Sequence, residues 1–478
     1  MSRRNLMLGY GENLVSDLPN PIGHGGEKNH PYVDRDEVYE RLCPEMNTAF
    51  DYVSNLDEIY CPDDNAVFRV ALHPAYLAKS YFPGNLFARF GLRVIGSRFE
   101  ELVPKKALKG REGIPLKTME LYIAGPKAQI CELTNHLKDS NLFEDVRKIE
   151  RIRVFAPHER IMGDSASLTD ARVFELVLHS DRYDDSIVRA FASLSKKFGA
   201  EPIVKKRVQT AGLCFLPLRV KSIEVLDSLE PFSFLRLMRK MPRLRGISRE
   251  IAGDVMRLTS IQLPPCPSME RNVAVFDVGC EISPRLNGWI RGYNLPNRLP
   301  GAVLHGTMVN SALLFGSIKP GQTIEPICPF DSYQVIDPND TSNEFELYEA
   351  LERICQILDT HNYEFVNLSI GPDLPISDNE VHAWTAKLDE KLASGQVLMS
   401  VAVGNNGEMD ENSGNARIEV PSDSVNALSI GASTDPGDSS GWDKTSYSAI
   451  GPGRMPGRRK PDVLDFGGCQ GNPFGIVD

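Results

Sequence analysis

The sequence lacks paired cysteines. Its nine cysteines (Cys43, Cys61, Cys131, Cys214, Cys266, Cys280, Cys328, Cys355 and Cys469) are scattered singly, with no Cys-x-x-Cys among them. That spacing signals neither a zinc site nor a dense disulfide framework, and it fits a reducing, cytoplasmic setting. No run of about 18 apolar residues occurs, so no membrane span is expected. The N-terminus has the basic pair Arg3-Arg4 with almost no apolar stretch behind it, so it does not read as a secretory signal. Positive charge is short as well. The net charge is −11, whereas a general nucleic-acid binder is usually basic. One basic cluster stands out, Arg236, Arg239, Lys240, Arg243, Arg245 and Arg249. It reads as a solvated face or a contact between domains rather than a nucleic-acid site. The histidines other than His305 form no metal-spaced pair.

What is present is ordinary soluble material, 41% hydrophobic and 24% charged. A length of 478 residues leaves room for two or three domains. Residues 1–62 are polar and broken by Pro19, Pro21, Gly23, Gly25 and Gly26; they read as an N-terminal arm, with a helix from Asp36 to about Leu56. From Ala66 the order of apolar segments is strand, helix, strand, strand, helix, strand, ending near Phe155. This βαββαβ order is that of a ferredoxin-like sandwich and occupies residues 63–160. The order recurs over 161–245, with Asp185 expected to cap a helix that ends at Gly199 and a strand expected over 202–208. One irregular α+β domain is the alternative for the same stretch. Residues 246–270, with Leu263-Pro264-Pro265-Cys266-Pro267, read as a linker.

From Arg271 the character changes. Asn272–Asp277 is continuously apolar, as a parallel strand buried on both faces must be. Helices are expected over 305–315, 344–358 and 380–393. Strands are expected over 365–370, 397–403 and 427–432. Strands alternating with helices of this length indicate an α/β doubly wound parallel sheet, whose sites lie beyond the carboxyl ends of the strands. Asp277 and Asn405 both fall at such ends, and His305 opens an apolar helix. Each has a bland reading: a helix-start His is usually structural, a strand-end Asp is often a turn former, and Gly404-Asn405-Asn406-Gly407 is a turn signal. Together they fit a different pattern. A serine hydroxyl is a poor nucleophile until a His takes its proton, and the His needs an acid to hold its tautomer. Asp277 is the candidate orienting acid, His305 the candidate base and Asn405 a candidate donor to the oxyanion.

The order and spacing of Asp277-Val278-Gly279, His305-Gly306-Thr307, Leu368-Ser369-Ile370-Gly371-Pro372 and Gly404-Asn405-Asn406-Gly407 resemble the subtilases, the subtilisin-like serine peptidases. Val425–Ala432, Tyr447–Pro452 and Lys460–Leu464 add to the likeness, which covers 271–478. The resemblance implies an endopeptidase with a polypeptide substrate, and a cleft wall at Leu368, Ser369, Ile370 and Gly371. No cofactor is implied; bound calcium is common in the family, but no acidic loop here places it. In subtilisin itself, removing the oxyanion donor costs about a hundred- to a thousandfold in turnover. Two departures stand out. Val278 replaces the Ser or Thr usual after the acid. The Gly-Thr-Ser-x-Ala-x-Pro segment that bears the nucleophile is absent, so the triad's Ser is expected to lie outside these residues. Gly437-Asp438-Ser439-Ser440-Gly441 is a weak substitute. The alternative is a truncated or non-catalytic subtilase scaffold that binds a peptide or partner protein. A long N-terminal half before such a core resembles bacterial cytoplasmic subtilases encoded beside an AAA-type ATPase. That half would serve as a prodomain or as a recognition module.

Overall fold

The computed structural model describes residues 30–477 apart from 78–80, 108–109, 164–171, 245–254, 259–262, 269, 282–285, 287, 296–302, 320–324, 338–342, 435–442, 455–457 and 470. The Pro- and Gly-rich start of the arm, Arg245, Arg249 and the Gly437–Gly441 stretch therefore lie outside the described residues. The chain divides into two compact units, one spanning Pro19–Met241 and the other containing Pro242–Asp478.

The first unit begins with helix α1 (Arg35–Asn55), whose first amides are capped by the Asp34 carboxylate, with Asp36 N–H donating to Oδ1 at 2.8 Å. Val38, Leu42, Met46, Ala49 and Val53 recur at helical spacing and are all buried. The expected arm thus contributes a face to the core. Strands β1 (Asn65–Leu72), β2 (Arg93–Leu102), β3 (Leu116–Pro126) and β4 (Ile149–Arg153) form a sheet in the order β2-β3-β1-β4, antiparallel throughout. Helices α2 (Gly84–Arg89) and α3 (Lys127–His136) complete a βαββαβ unit. Pro74 begins only a short turn, Pro74–Tyr76.

A second sheet follows. It comprises β5 (Ile161–Met162), β6 (Val173–His179), β7 (Glu201–Pro202), β8 (Val208–Gln209), β9 (Leu213–Arg219) and β10 (Leu235–Lys240), ordered β5-β10-β6-β9-β7 with β8 also on β9. Its helices are α4 (Ser186–Lys197) and α5 (Glu224–Leu229). The strand expected over 202–208 is two dyads separated by a tight turn at Val204–Lys206. Asp185 does not cap α4: it pairs with Arg207 at 2.9 Å, and the Ser186 amide donates to Asp184 instead. The two sheets share one core. Val67, Tyr122 and Ala124 of the first pack with Phe174, Leu176 and Leu216 of the second.

Charge is also buried in this unit. Arg69 and Glu120 have no exposed side-chain surface and meet at 3.2 Å. Arg69 also reaches Glu159 at 2.6 Å, and Arg98 and Arg153 each donate to Glu120 at 2.7 Å. Burial pushes the Glu120 carboxyl up, but the Arg153 hydrogen bond and the charges of Arg69 and Arg98 bring it below the usual carboxylate range. Arg236 and Arg239 of the basic cluster are not a solvated face. Both are under a tenth exposed; Arg236 lies 5.0 Å from the Tyr122 ring, and Arg239 donates to Glu175 at 2.6 Å.

His179 is buried against Tyr122, ring centroids 4.8 Å apart. Burial, then the nearby cations Arg236 and Arg160, hold its pKa well below the ordinary value. The unfolded chain takes up this proton near pH 6.5, and the folded unit refuses it. The contribution to stability is therefore complete above about pH 6.5 and declines as pH falls, by up to about 1.4 kcal/mol per pH unit. Urea unfolding of wild type and His179→Gln between about pH 6.5 and pH 5.5 should show a shallower decline in the variant. Equal slopes would contradict this assignment.

The second unit is built on seven parallel strands: β12 (Val273–Asp277), β13 (Ile290–Tyr293), β14 (Phe330–Gln334), β15 (Phe365–Leu368), β16 (Leu398–Ala402), β17 (Leu428–Ser433) and β18 (Val463–Phe466). Their order is β13-β14-β12-β15-β16-β17-β18. Helices α6 (Leu304–Phe315), α7 (Glu346–Thr360) and α8 (Ala383–Leu392) connect them. The chain starts in the sheet's middle and reverses direction there, so the carboxyl ends of β12, β15 and β16 open onto a crevice position. Within the expected linker, strand β11 (Val255–Leu258) pairs in parallel with β19 (Phe474–Val477), and the Trp289 indole donates to the Pro264 carbonyl at 3.1 Å. These residues are folded onto the second unit. No described helix is long and apolar enough to cross a membrane.

Candidate active site

Asp277 ends β12 and is fully buried. Its backbone is held on one side by β14, where the Val335 amide donates to the Asp277 carbonyl at 2.9 Å. Its Oδ1 accepts from the Val278 amide at 2.8 Å and contacts His305 Nδ1 at 2.8 Å. An ionised carboxylate only accepts, so Nδ1 carries the proton and Nε2 is left as the basic nitrogen. The His305 side chain is 31% exposed while that of Asp277 is 0% exposed. The acid is thus sealed in and the base faces outward, the polarity that proton abstraction from an incoming group requires.

The approach of helix to strand depends on Gly306. A Cβ there would overlap the Gly279 carbonyl oxygen and lie 3.2 Å from Asp277 Oδ1. Any side chain at 306 would push the first turn of α6 off the loop after β12 and break the acid–base contact. The next residue, Thr307, fastens the same junction: its hydroxyl donates to the Val303 carbonyl at 3.0 Å and accepts from the Glu281 amide at 3.2 Å. The Gly306 and Thr307 contacts are invisible to spacing rules, although the Gly-Thr pair itself could be read in the sequence.

Asn405 follows β16 and is exposed, while its neighbour Asn406 is tied down, donating from Nδ2 to the Asn415 carbonyl at 2.5 Å and the Arg417 carbonyl at 2.9 Å. β16 lies two strands from β12 in the sheet, a separation of about 10 Å. Leu368 ends β15 between them and is buried. Ser369 Oγ accepts from Asn367 Nδ2 at 2.9 Å, and Ile370 is 6% exposed. Gly371 packs so closely on the Val420 carbonyl that a Cβ would overlap it. The structure therefore joins Asp277 to His305 directly and sets Leu368–Gly371 and Asn405 at neighbouring carboxyl ends of the same sheet. Among the described residues no group of three or more His, Cys, Asp or Glu is placed to hold a metal ion.

Residues 291–475 match the model of the Subtilase family. The match covers less than half of the chain. His305, Leu368–Gly371 and Asn405 fall inside it; Asp277 precedes it and is joined to it through the contact with His305. Two solved structures similar to the chain are a protease titled S41 Psychrophilic Protease and one titled Sphericase. The first is 21% identical, with 41% of this chain and 65% of that chain covered and a TM-score of 0.30. The second is 16% identical, with 44% and 74% covered and a TM-score of 0.32. This chain thus spans just under two thirds of the first of them. Comparison with curated proteins finds no match.

Proposed function

We propose that this protein is a serine endopeptidase of the subtilisin type. The observation that carries the reading is the 2.8 Å contact between a sealed carboxylate and a half-open imidazole within or beside a subtilase segment. In this reading Asp277 holds the His305 tautomer and stabilises the imidazolium. His305 Nε2 takes the proton of a serine hydroxyl as that oxygen attacks the scissile carbonyl, and later returns it to the leaving amine. The Asn405 amide donates to the oxyanion. Residues Leu368–Gly371 pair with the substrate backbone.

The nucleophile in this reading is not one of residues 1–478. Several serines of the second unit are engaged in structural hydrogen bonds. Ser429 Oγ donates to Asp462 at 2.8 Å, Ser446 Oγ donates to Glu408 at 2.5 Å, and Ser448 Oγ accepts from the Ala432 amide at 3.0 Å. Residues 63–160 and 161–245 act in this proposal as two ferredoxin-like units in one body, serving as a prodomain or a recognition module. A cytoplasmic AAA-type ATPase is a candidate partner, carried by the family resemblance alone.

The test is hydrolysis of an unfolded protein by the product of the gene's whole reading frame, whatever follows codon 478. The proposal expects cleavage that His305→Ala removes. Absence of cleavage, together with peptide binding, would favour the non-catalytic scaffold instead.

A further inference from the structure

The turn that follows the acid is held between two surfaces. In front of it, Gly306 of α6 packs on the Gly279 carbonyl. Behind it lies Gln334, the last residue of β14 and only 4% exposed. Gln334 stands level with Asp277 in the parallel pairing of β14 with β12. Gly279 has φ +85°, and a Cβ there would come within 3.1 Å of Gln334 Cβ and 3.3 Å of its Cγ. The stem of Gln334 is therefore the surface on which the turn rests. Its amide is used at both ends. Oε1 accepts from the Leu295 amide at 3.1 Å, and Nε2 donates to the Ile336 carbonyl at 3.2 Å. One side chain thus ties the chain leaving β13 to the chain leaving β14 and supports the chain leaving β12.

We propose that Gln334 is a positioning residue for the peptidase centre. It fixes the Val278–Gly279 turn against Gly306 and so holds the Asp277 carboxylate at bonding distance from His305. This deepens the peptidase reading and rests on it. Asp277 Oδ1 meets both the Val278 amide and His305 Nδ1 at 2.8 Å, so a shift of the turn moves the oxygen that orients the imidazole. The first turn of α6 grips the same loop, through Gly306 and through the Glu281 amide on Thr307. Packing alone does not call for an amide at 334. An apolar side chain of the same length would fill the space, whereas a buried amide costs free energy unless both its ends are bonded. What the two hydrogen bonds add is direction. They fix the torsions of the side chain, and with them the surface offered to Gly279. Reacting groups are held in place by neighbours whose own conformations are locked, and a misplacement of about 1 Å can cost about a hundredfold in rate.

The experiment uses Gln334→Met, which keeps the length of the stem and removes both hydrogen bonds. The first readout is steady-state cleavage of a fluorogenic peptide by the product of the whole reading frame. There kcat should fall about ten- to a hundredfold with KM within about twofold, because alignment is lost and substrate binding is not. The second readout needs no nucleophile. It is the hydrogen exchange of the His305 Nδ1 proton, followed by NMR in the histidine-labelled full chain and assigned by its loss in His305→Ala. Exchange should be at least about tenfold faster in Gln334→Met, since opening of the acid–base contact exposes that proton. A residue with only a structural role would lower the unfolding midpoint and move neither readout. Unchanged kcat and unchanged exchange in folded Gln334→Met would overturn the proposal and leave the peptidase reading standing. Absence of cleavage by the wild type would overturn the peptidase reading, while faster exchange in Gln334→Met would still support the hold of Gln334 on the contact. If Gln334→Met does not fold, Gln334→Asn, whose amide sits on a stem one carbon shorter, is read in the same way.

Discussion

Asp277→Asn should lower turnover about ten-thousandfold, the size of effect known for the acid of a Ser-His-Asp triad, with little change in the fold. The side chain keeps its shape, although the one oxygen, Oδ1, that meets both the Val278 amide and His305 becomes a donor when the amide nitrogen takes its place. What changes is the partner of His305. An amide nitrogen facing Nδ1 forces the proton onto Nε2, the nitrogen meant to accept from the serine. The loss therefore lies in kcat, with substrate binding nearly intact. Steady-state kinetics on the peptidase-competent protein checks this. A similar loss in His305→Ala and no additional loss in the double variant would show that the two act as one unit.

The largest effect on stability is expected at Arg69→Met. Arg69 is fully buried between Glu120 and Glu159 and lies 4.0 Å from the Phe155 ring centroid. Met fills much of its volume but supplies no charge. Glu120 would then keep Arg98 and Arg153 but lose its innermost partner. Removing one side of a buried ion pair costs about 3–5 kcal/mol, a large share of a typical unfolding free energy of about 5–15 kcal/mol. Denaturant unfolding of the full chain should show this as an early transition. The double variant Arg69→Met/Glu120→Gln should recover part of the loss, because it removes the stranded charge as well.

The legible parts of the sequence were those where a single physical demand sets the residues. Val273–Asp277 reads as a buried parallel strand because both faces need apolar side chains. The stripe on α7, Tyr348, Leu351, Ile354 and Cys355, reads as a helix because burial imposes its spacing. β14 was missed for the opposite reason. Phe330-Asp331-Ser332-Tyr333-Gln334 is wholly buried yet mostly polar. It is tolerated because its polar groups are satisfied: Asp331 accepts from Arg291 at 2.7 Å and Tyr363 at 2.6 Å, and Ser332 accepts from Asn310 at 2.9 Å. Those partners are 22 to 40 positions away, beyond any local pattern. The same holds at the site. Asp277, His305 and Asn405 could be named from context, but the sealing of the acid and the position of Gln334 arise from long-range packing. Residues 255–258 likewise read as a linker because their partner strand lies at 474–477.

The most direct test of the central claim is labelling by a serine-reactive fluorophosphonate, applied to the product of the whole reading frame and mapped by mass spectrometry. The account predicts modification of one serine outside residues 1–478, lost in His305→Ala. Labelling of a serine within these residues, or labelling that does not depend on His305, would contradict it.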